Sequence, residues 1–141
     1  MHTLVVHTDG GARGNPGPAA IGVVFDAEDG WQQLHERYIG EATNNVAEYQ
    51  AVLDAVEAMA QIFETQGRPQ KIEFYLDSQL VQRQIIGQYK IKEPTLQVLA
   101  AKIRQHLQSL ATPYTFTHVP RAENKLADKL VNHALDAQAA I

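Results

Sequence analysis

Residues Val5–Pro18 read VVHTDGGARGNPGP, and the fold turns on how this stretch is understood. Thr3–Thr8 is short, β-branched and apolar, which is strand character, and it leads to one carboxylate, Asp9, followed directly by glycines. Gly10, Gly11, Gly14 and Gly17 with Pro16 and Pro18 are expected to end the strand, because glycine favours turn geometries and proline lacks the N–H a ladder uses. Asp9 is therefore expected at a strand exit. The backbone at Gly10 and Gly11 is then open to close approach by a charged ligand such as a phosphate chain. A solvated aspartate in a tight hairpin is the plainer reading, and the choice depends on where the other carboxylates fall.

Outward from this stretch, Ala20–Asp26 and Trp31–Ile39 read as strands joined by a hairpin loop over residues 27–30, and Gly40 is expected to break the meander. Thr43 or Asn44 can cap a helix in which Tyr49, Val52, Leu53, Val56, Met59, Ala60 and Phe63 recur at helical spacing. Gly67-Arg68-Pro69 closes it. Lys71–Leu76 is a strand ending at Asp77, and Ser78 can cap the helical segment after it. Helical patterns run over Gln79–Ile86 and Pro94–Leu110, joined by Gly87–Glu93; Pro113–Val119 is a last strand and Ala122–Ala139 a last helix. Strands separated by helices need crossovers, so the later strands should lie parallel to the first in a mixed α/β sheet.

Composition bounds the function. At 141 residues and 45% hydrophobic content, residues 1–141 are expected to form one domain with a real core. The absence of cysteine excludes disulfides and thiolate metal sites. The N-terminus has no basic leader region and no apolar run nears the roughly 18 residues of a membrane span, so a soluble, cytoplasmic protein is expected. A net charge of −4 argues against a generic polyanion binder, but the charge is uneven. Only Arg13 and Arg37 are basic in residues 1–66, whereas Arg83, Lys90, Lys92, Lys102, Arg104, Arg121, Lys125 and Lys129 dominate residues 81–129. An acidic patch for a cation beside a basic flank for phosphates fits this split.

The carboxylates support the ligand reading. Asp9 and Asp77 each end a strand, and parallel neighbours bring such ends to one sheet edge, where open α/β folds bind ligands. Glu48 lies one turn before Val52 and extends the apolar stripe of its helix, facing the sheet. On the last helix the apolar arc holds Leu126, Ala127, Leu130, Val131, Ala134 and Leu135. Asp128 falls about 20° from Leu135, at the edge of that arc. Converging carboxylates raise each other's pKa and resist ionising together, and no lysine or arginine is obviously placed to neutralise them. A divalent cation would be. Oxygen ligands without cysteine suit a hard ion, Mg²⁺ or Mn²⁺.

Four stretches, TDGGARGNPGPAAIGVV (residues 8–24), TNNVAEYQAV (43–52), YLDSQLV (75–81) and HVPRAENKLADKLVNHAL (118–135), resemble in order and spacing the successive motifs of the type 1 ribonuclease H family. The resemblance implies the ribonuclease H-like fold. That is a five-stranded mixed sheet flanked by helices, its first three strands antiparallel and its later strands parallel to the first. It implies an endonuclease that hydrolyses the RNA strand of RNA–DNA hybrids with two Mg²⁺ ions, or Mn²⁺ in their place, leaving 5′-phosphate and 3′-hydroxyl ends. Asp9, Glu48, Asp77 and Asp128 match the family's catalytic, metal-binding acids. Gly10, Gly11, Asn15, Thr43, Asn44, Asn45 and Gln79 match its substrate contacts. The partner implied is the hybrid duplex; the sequence does not reveal the oligomeric state, and a monomer is expected.

Two departures stand out. The best-known bacterial branch carries a histidine in a mobile loop before the last helix, and here residues 120–123, PRAE, have none; His118 ends the preceding strand, where a structural role is expected. Gly87–Thr95, GQYKIKEPT, replaces a longer, strongly basic protrusion, so hybrid affinity is expected to be lower. No separate N-terminal hybrid-binding domain is expected, since the first strand begins at residue 3. His2, His35, His106 and His133 show no ligand spacing, while His7, two residues before Asp9 on the same strand face, can support the acid. A non-catalytic nucleic-acid-binding module and a DNA-cutting nuclease on the same fold are the alternatives; the four acids weigh against the first, the asparagines and Gln79 against the second.

Overall fold

The computed structural model describes residues 1–141. Strand β1 (Thr3–Ala12) is the middle of a five-stranded sheet, with β2 (Gly17–Ala27) and then β3 (Gln32–Ala42) antiparallel on one side. On the other side lie β4 (Lys71–Leu76), parallel to β1, and β5 (Tyr114–His118), parallel to β4. The mixed sheet is thus the one expected, because each parallel pair is linked through helices: α1 (Asn44–Gln66) before β4, and α2 (Gln79–Ile85) and α3 (Pro94–Leu110) before β5. The last helix, α4 (Lys125–Ala139), covers the opposite face.

The two-residue period of β2 explains the two layers. Ile21, Val23 and Phe25 point into the main core with Leu4, Val6, Tyr49, Val52, Met59 and Phe74. The alternate positions, Ala20, Gly22 and Val24, are small and receive Ala127, Leu130 and Val131 of α4. Edge strand β3 is tied to both layers in the same alternating way. His35 and Arg37 reach Asp54 of α1, at 3.0 Å and at 2.7 Å, while the intervening Glu36 meets His133 of α4 at 2.7 Å.

Several boundaries differ from the sequence reading. β1 does not end at Asp9: the strand continues to Ala12, with Asp9 opposite Gly22 and Gly10 opposite Ile21 on β2, and only the parallel ladder to β4 stops at Thr8. Gly17 and Pro18 likewise belong to β2, and the turn is confined to residues 13–16. Gly40 does not break β3 either. Its φ of 82° lets the strand pass a bulge in which Ile39 is skipped between the pairs Ala19–Gly40 and Ala20–Tyr38. α4 begins three residues later than expected, after a 3₁₀ turn at Arg121–Glu123. Leu126, expected on the apolar arc, lies in the helix's first turn and is 40% exposed.

Candidate active site

Two glycines bring the carboxylates together. A Cβ on Gly10 would lie 2.2 Å from the carbonyl of Ala47, so the start of α1 presses directly on β1. A Cβ on Gly22, the partner of Asp9, would lie 2.4 Å from the carbonyl oxygen of Ala127, so α4 presses on the opposite face. Without these side chains both helices approach the sheet at one point, and Glu48 and Asp128, each one residue beyond the contact, arrive beside Asp9. Asp77 joins from the end of β4, where Ser78 caps α2 by accepting from the Val81 N–H at 3.3 Å. One carboxylate oxygen from each of Asp9, Glu48 and Asp77 lies within 4.8 Å of the other two. Asp128, half-buried, stands outside this trio but borders the same open cleft of about 560 Å³.

The trio is poorly suited to carrying its own charge. Burial, offset in part by the adjacent Glu48 carboxyl and reinforced by the charges of Asp77 and Asp128, raises Asp9 to about 7. Burial and then the charge of Asp9 push Glu48 well above the usual carboxylate range, although the Gly10 N–H donates to its Oε1 at 3.2 Å. Glu48 Oε2 is buried with no hydrogen-bond partner. An orphaned carboxylate oxygen in an all-oxygen cluster fits a hard divalent cation, which supplies both the missing partner and the missing counter-charge.

The cleft also brings together Gly10, Gly11, Asn44 and Asn45. Asn15 is exposed and does not line the cleft but braces it: its Oδ1 accepts from the Asn44 N–H at 3.1 Å, and the Asn44 Oδ1 accepts from the Ala12 N–H at 2.8 Å. Both side-chain oxygens are thus engaged within the protein, leaving the Nδ2 groups to be offered outward. Thr43, not Asn44, is the cap of α1, its hydroxyl accepting from the Val46 N–H at 3.2 Å. Gln79, at the start of α2, is exposed and does not line the cleft. His118 is exposed too, so packing gives it no role.

Sequence reasoning did not place Arg13 or Asn124 at the site. Arg13 and Arg121 both border the acidic cleft, Arg121 from the basic flank expected there and Arg13 from outside it, held by Asp136 at 2.6 Å. Asn124 is 1% exposed and sits immediately before α4, yet it makes no side-chain cap. Its Nδ2 donates instead to the Thr8 carbonyl at 2.9 Å and lies 3.4 Å from Asp77 Oδ2. A helix-start asparagine was a visible signal; the direction of its side chain was not.

The strand order β3-β2-β1-β4-β5, with acids at the edge of its parallel strands, defines the ribonuclease H-like class. A sequence profile described as "Reverse transcriptase-like" matches residues 7–134. A crystal structure of LC11-RNase H1, an enzyme isolated from compost, in complex with an RNA/DNA hybrid superposes with a TM-score of 0.90 at 45% identity, covering 96% of this chain and 99% of that one. Ribonuclease HI of Halobacterium salinarum is 43% identical over 130 residues, 91% of this chain and 62% of that protein. A bifunctional protein of Mycobacterium tuberculosis is 38% identical over 141 residues, 96% of this chain; the chain spans 36% of that relative's length. This chain belongs to the type 1 ribonuclease H family.

Proposed function

We propose that this chain is an endonuclease that hydrolyses the RNA strand of RNA–DNA hybrids, leaving 5′-phosphate and 3′-hydroxyl ends, and that residues 1–141 act as a single catalytic domain and a monomer. The observation that carries the reading is the convergence of Asp9, Glu48 and Asp77 within 4.8 Å, with one buried Glu48 oxygen left without a partner. The hybrid bound by LC11-RNase H1, 45% identical over nearly its whole length, supports the choice of substrate.

Asp9, Glu48 and Asp77, with Asp128 beside them, would hold divalent cations. When bound, a pair of Mg²⁺ ions supplies an activated water and Lewis-acid stabilisation of the scissile phosphate and its leaving oxygen. The chain's own residues place the substrate. Gly10 and Gly11 line the cleft beside the acids, where the nucleic acid would lie, and the Nδ2 groups of Asn44 and Asn45 can donate to sugar hydroxyls and base edges irrespective of sequence. Arg121, exposed at the rim, can meet a phosphate. Discrimination between RNA and DNA rests on the 2′-hydroxyl, the chemical difference at each nucleotide.

The test is cleavage of end-labelled duplexes with Mg²⁺ or Mn²⁺: a hybrid, an all-DNA duplex, and a DNA duplex with one ribonucleotide. Cleavage of the RNA strand of the hybrid, with little or none of the other two, is expected. Efficient cutting of all-DNA duplex would make the chain a DNA nuclease, and binding of hybrid without cutting would make it a non-catalytic module.

A further inference from the structure

We infer that Asn124, itself oriented by His7, is a positioning residue that sets the spacing of Asp9, Asp77 and Asp128; the inference rests on the reading of these acids as a metal site.

The side chain and backbone of Asn124 touch the setting of all three. Its Nδ2 donates to the carbonyl of Thr8, the residue before Asp9, and reaches Asp77 itself at 3.4 Å. Its backbone carbonyl accepts from the N–H of Asp128 at 3.1 Å. One residue thus links three segments of the chain, from β1, β4 and α4.

The orientation of its amide follows from chemistry. The Thr8 carbonyl can only accept, so the NH₂ end must face it. Flipping the amide would set its oxygen against both that carbonyl and the Asp77 carboxylate. The amide oxygen is therefore left toward His7, whose Nδ1 lies 3.1 Å away. His7 must donate from Nδ1, which the neutral ring with its proton there and the cation both do. The ring is in turn stacked on Tyr75, with centroids 5.2 Å apart and planes 23° from parallel. Packing alone does not hold the pair, because a cavity of about 140 Å³ opens beside His7, Val24 and Asn124. The hydrogen bond from His7 makes one orientation of the amide much the better one, and so keeps its NH₂ end on Asp77.

The experiment compares wild type with His7→Phe, which keeps the stack on Tyr75 but removes the donor, and His7→Gln, which returns a side-chain N–H. The first readout is the rise in melting temperature with Mg²⁺ alone, and the second is kcat and KM on a hybrid. In His7→Phe the Mg²⁺ concentration for half the melting shift should rise about tenfold, as for other residues that orient metal ligands. The value of kcat should fall with KM unchanged, the Mg²⁺-free melting temperature should stay within a few degrees of wild type, and His7→Gln should recover most of the loss. An unchanged Mg²⁺ requirement and kcat in His7→Phe, or a His7→Gln protein as impaired as His7→Phe, would overturn the inference. No Mg²⁺ shift in wild type would overturn the metal-site reading itself, and this inference with it.

Discussion

Glu48 and Asp128 reach the same cleft from opposite faces of the sheet, and they are held there differently. Each follows a helix start pressed on a glycine, α1 on Gly10 and α4 on Gly22. The first turn of α1 is capped by Thr43, lies over the main core, and buries Glu48 with its Oε1 on the Gly10 N–H. The first turn of α4 comes after a 3₁₀ turn, has no side-chain cap, and leaves Asp128 half-buried, with the Asn124 carbonyl receiving its N–H. The α1 side of the site is set by packing and the α4 side by polar tethers. Changes on the first side should cost stability, and changes on the second should cost activity first.

The largest effect is expected where the two sides meet. Asp77→Asn removes one carboxylate from the trio and should lower turnover by orders of magnitude in a protein that remains folded. Near-normal turnover with an intact circular-dichroism spectrum would remove Asp77 from the catalytic set. Next come Gly10→Ala and Gly22→Ala, each placing a methyl group inside a helix backbone at a cost of about 1–3 kcal/mol. Urea unfolding should find Gly10→Ala the less stable, because α1 anchors the main core. Gly22→Ala should retain more stability while losing turnover, through displacement of Asp128. Equal losses of stability, or full turnover in Gly22→Ala, would erase the distinction between the two sides.

Edge strand β3 offers the same contrast in milder form. Burial alone would raise the Asp54 carboxyl, but hydrogen bonds from Arg37, His35 and Gln50 outweigh it and hold Asp54 below the ordinary carboxylate range. Its folded pKa is lower than its unfolded one, so its contribution is fully present above the unfolded value of about 3.8 and is lost as pH falls through the folded value. Asp54→Ala should cost about 2 kcal/mol near neutral pH, with the gap to wild type closing in acid. Denaturant melts showing an unchanged gap down to about pH 2 would contradict this. The Glu36–His133 pair on the other face is more exposed, and the hydrogen bond that His133 donates to the Glu36 carboxylate raises His133. With the His133 ring N–H donating and the Glu36 carboxylate accepting, that contribution has the opposite sign, present below the unfolded pKa and lost as pH rises through the folded one. His133→Ala should therefore give the smallest effect, a slight drop in melting temperature in low salt on the acidic side, and none at alkaline pH. An equal drop on both sides would show that packing, not charge, is at work there.

Elements whose ends are marked by local chemistry were legible in the sequence. Lys71–Leu76 and Pro94–Leu110 appear with the bounds that the proline, the capping residues and the periodicity indicate. Glu48 and Asp77 were legible for the same reason, one on a helical stripe and the other at a strand end. Features set by neighbours distant in sequence could not be read. Gly10 and Gly22 look like turn formers or weak strand residues, and their use becomes visible only when Ala47 and Ala127 lie against them. Gly40 signals a break by itself, but pairing with Ala19 across the bulge keeps it in the strand. Asn124 carries the marks of a cap, and Thr8, Asp77 and His7, far away in sequence, take its side chain instead.

If the converging acids form a metal site, Mg²⁺-dependent melting of wild type beside Asp9→Asn will show it. Removing one of several mutually repelling, buried carboxylates should leave the Mg²⁺-free stability unchanged or raise it by about 1 kcal/mol. Wild type should gain stability as Mg²⁺ is added, and Asp9→Asn should lose most of that gain. Equal Mg²⁺-dependent shifts in the two proteins would show that Asp9 is not a ligand and would contradict the account.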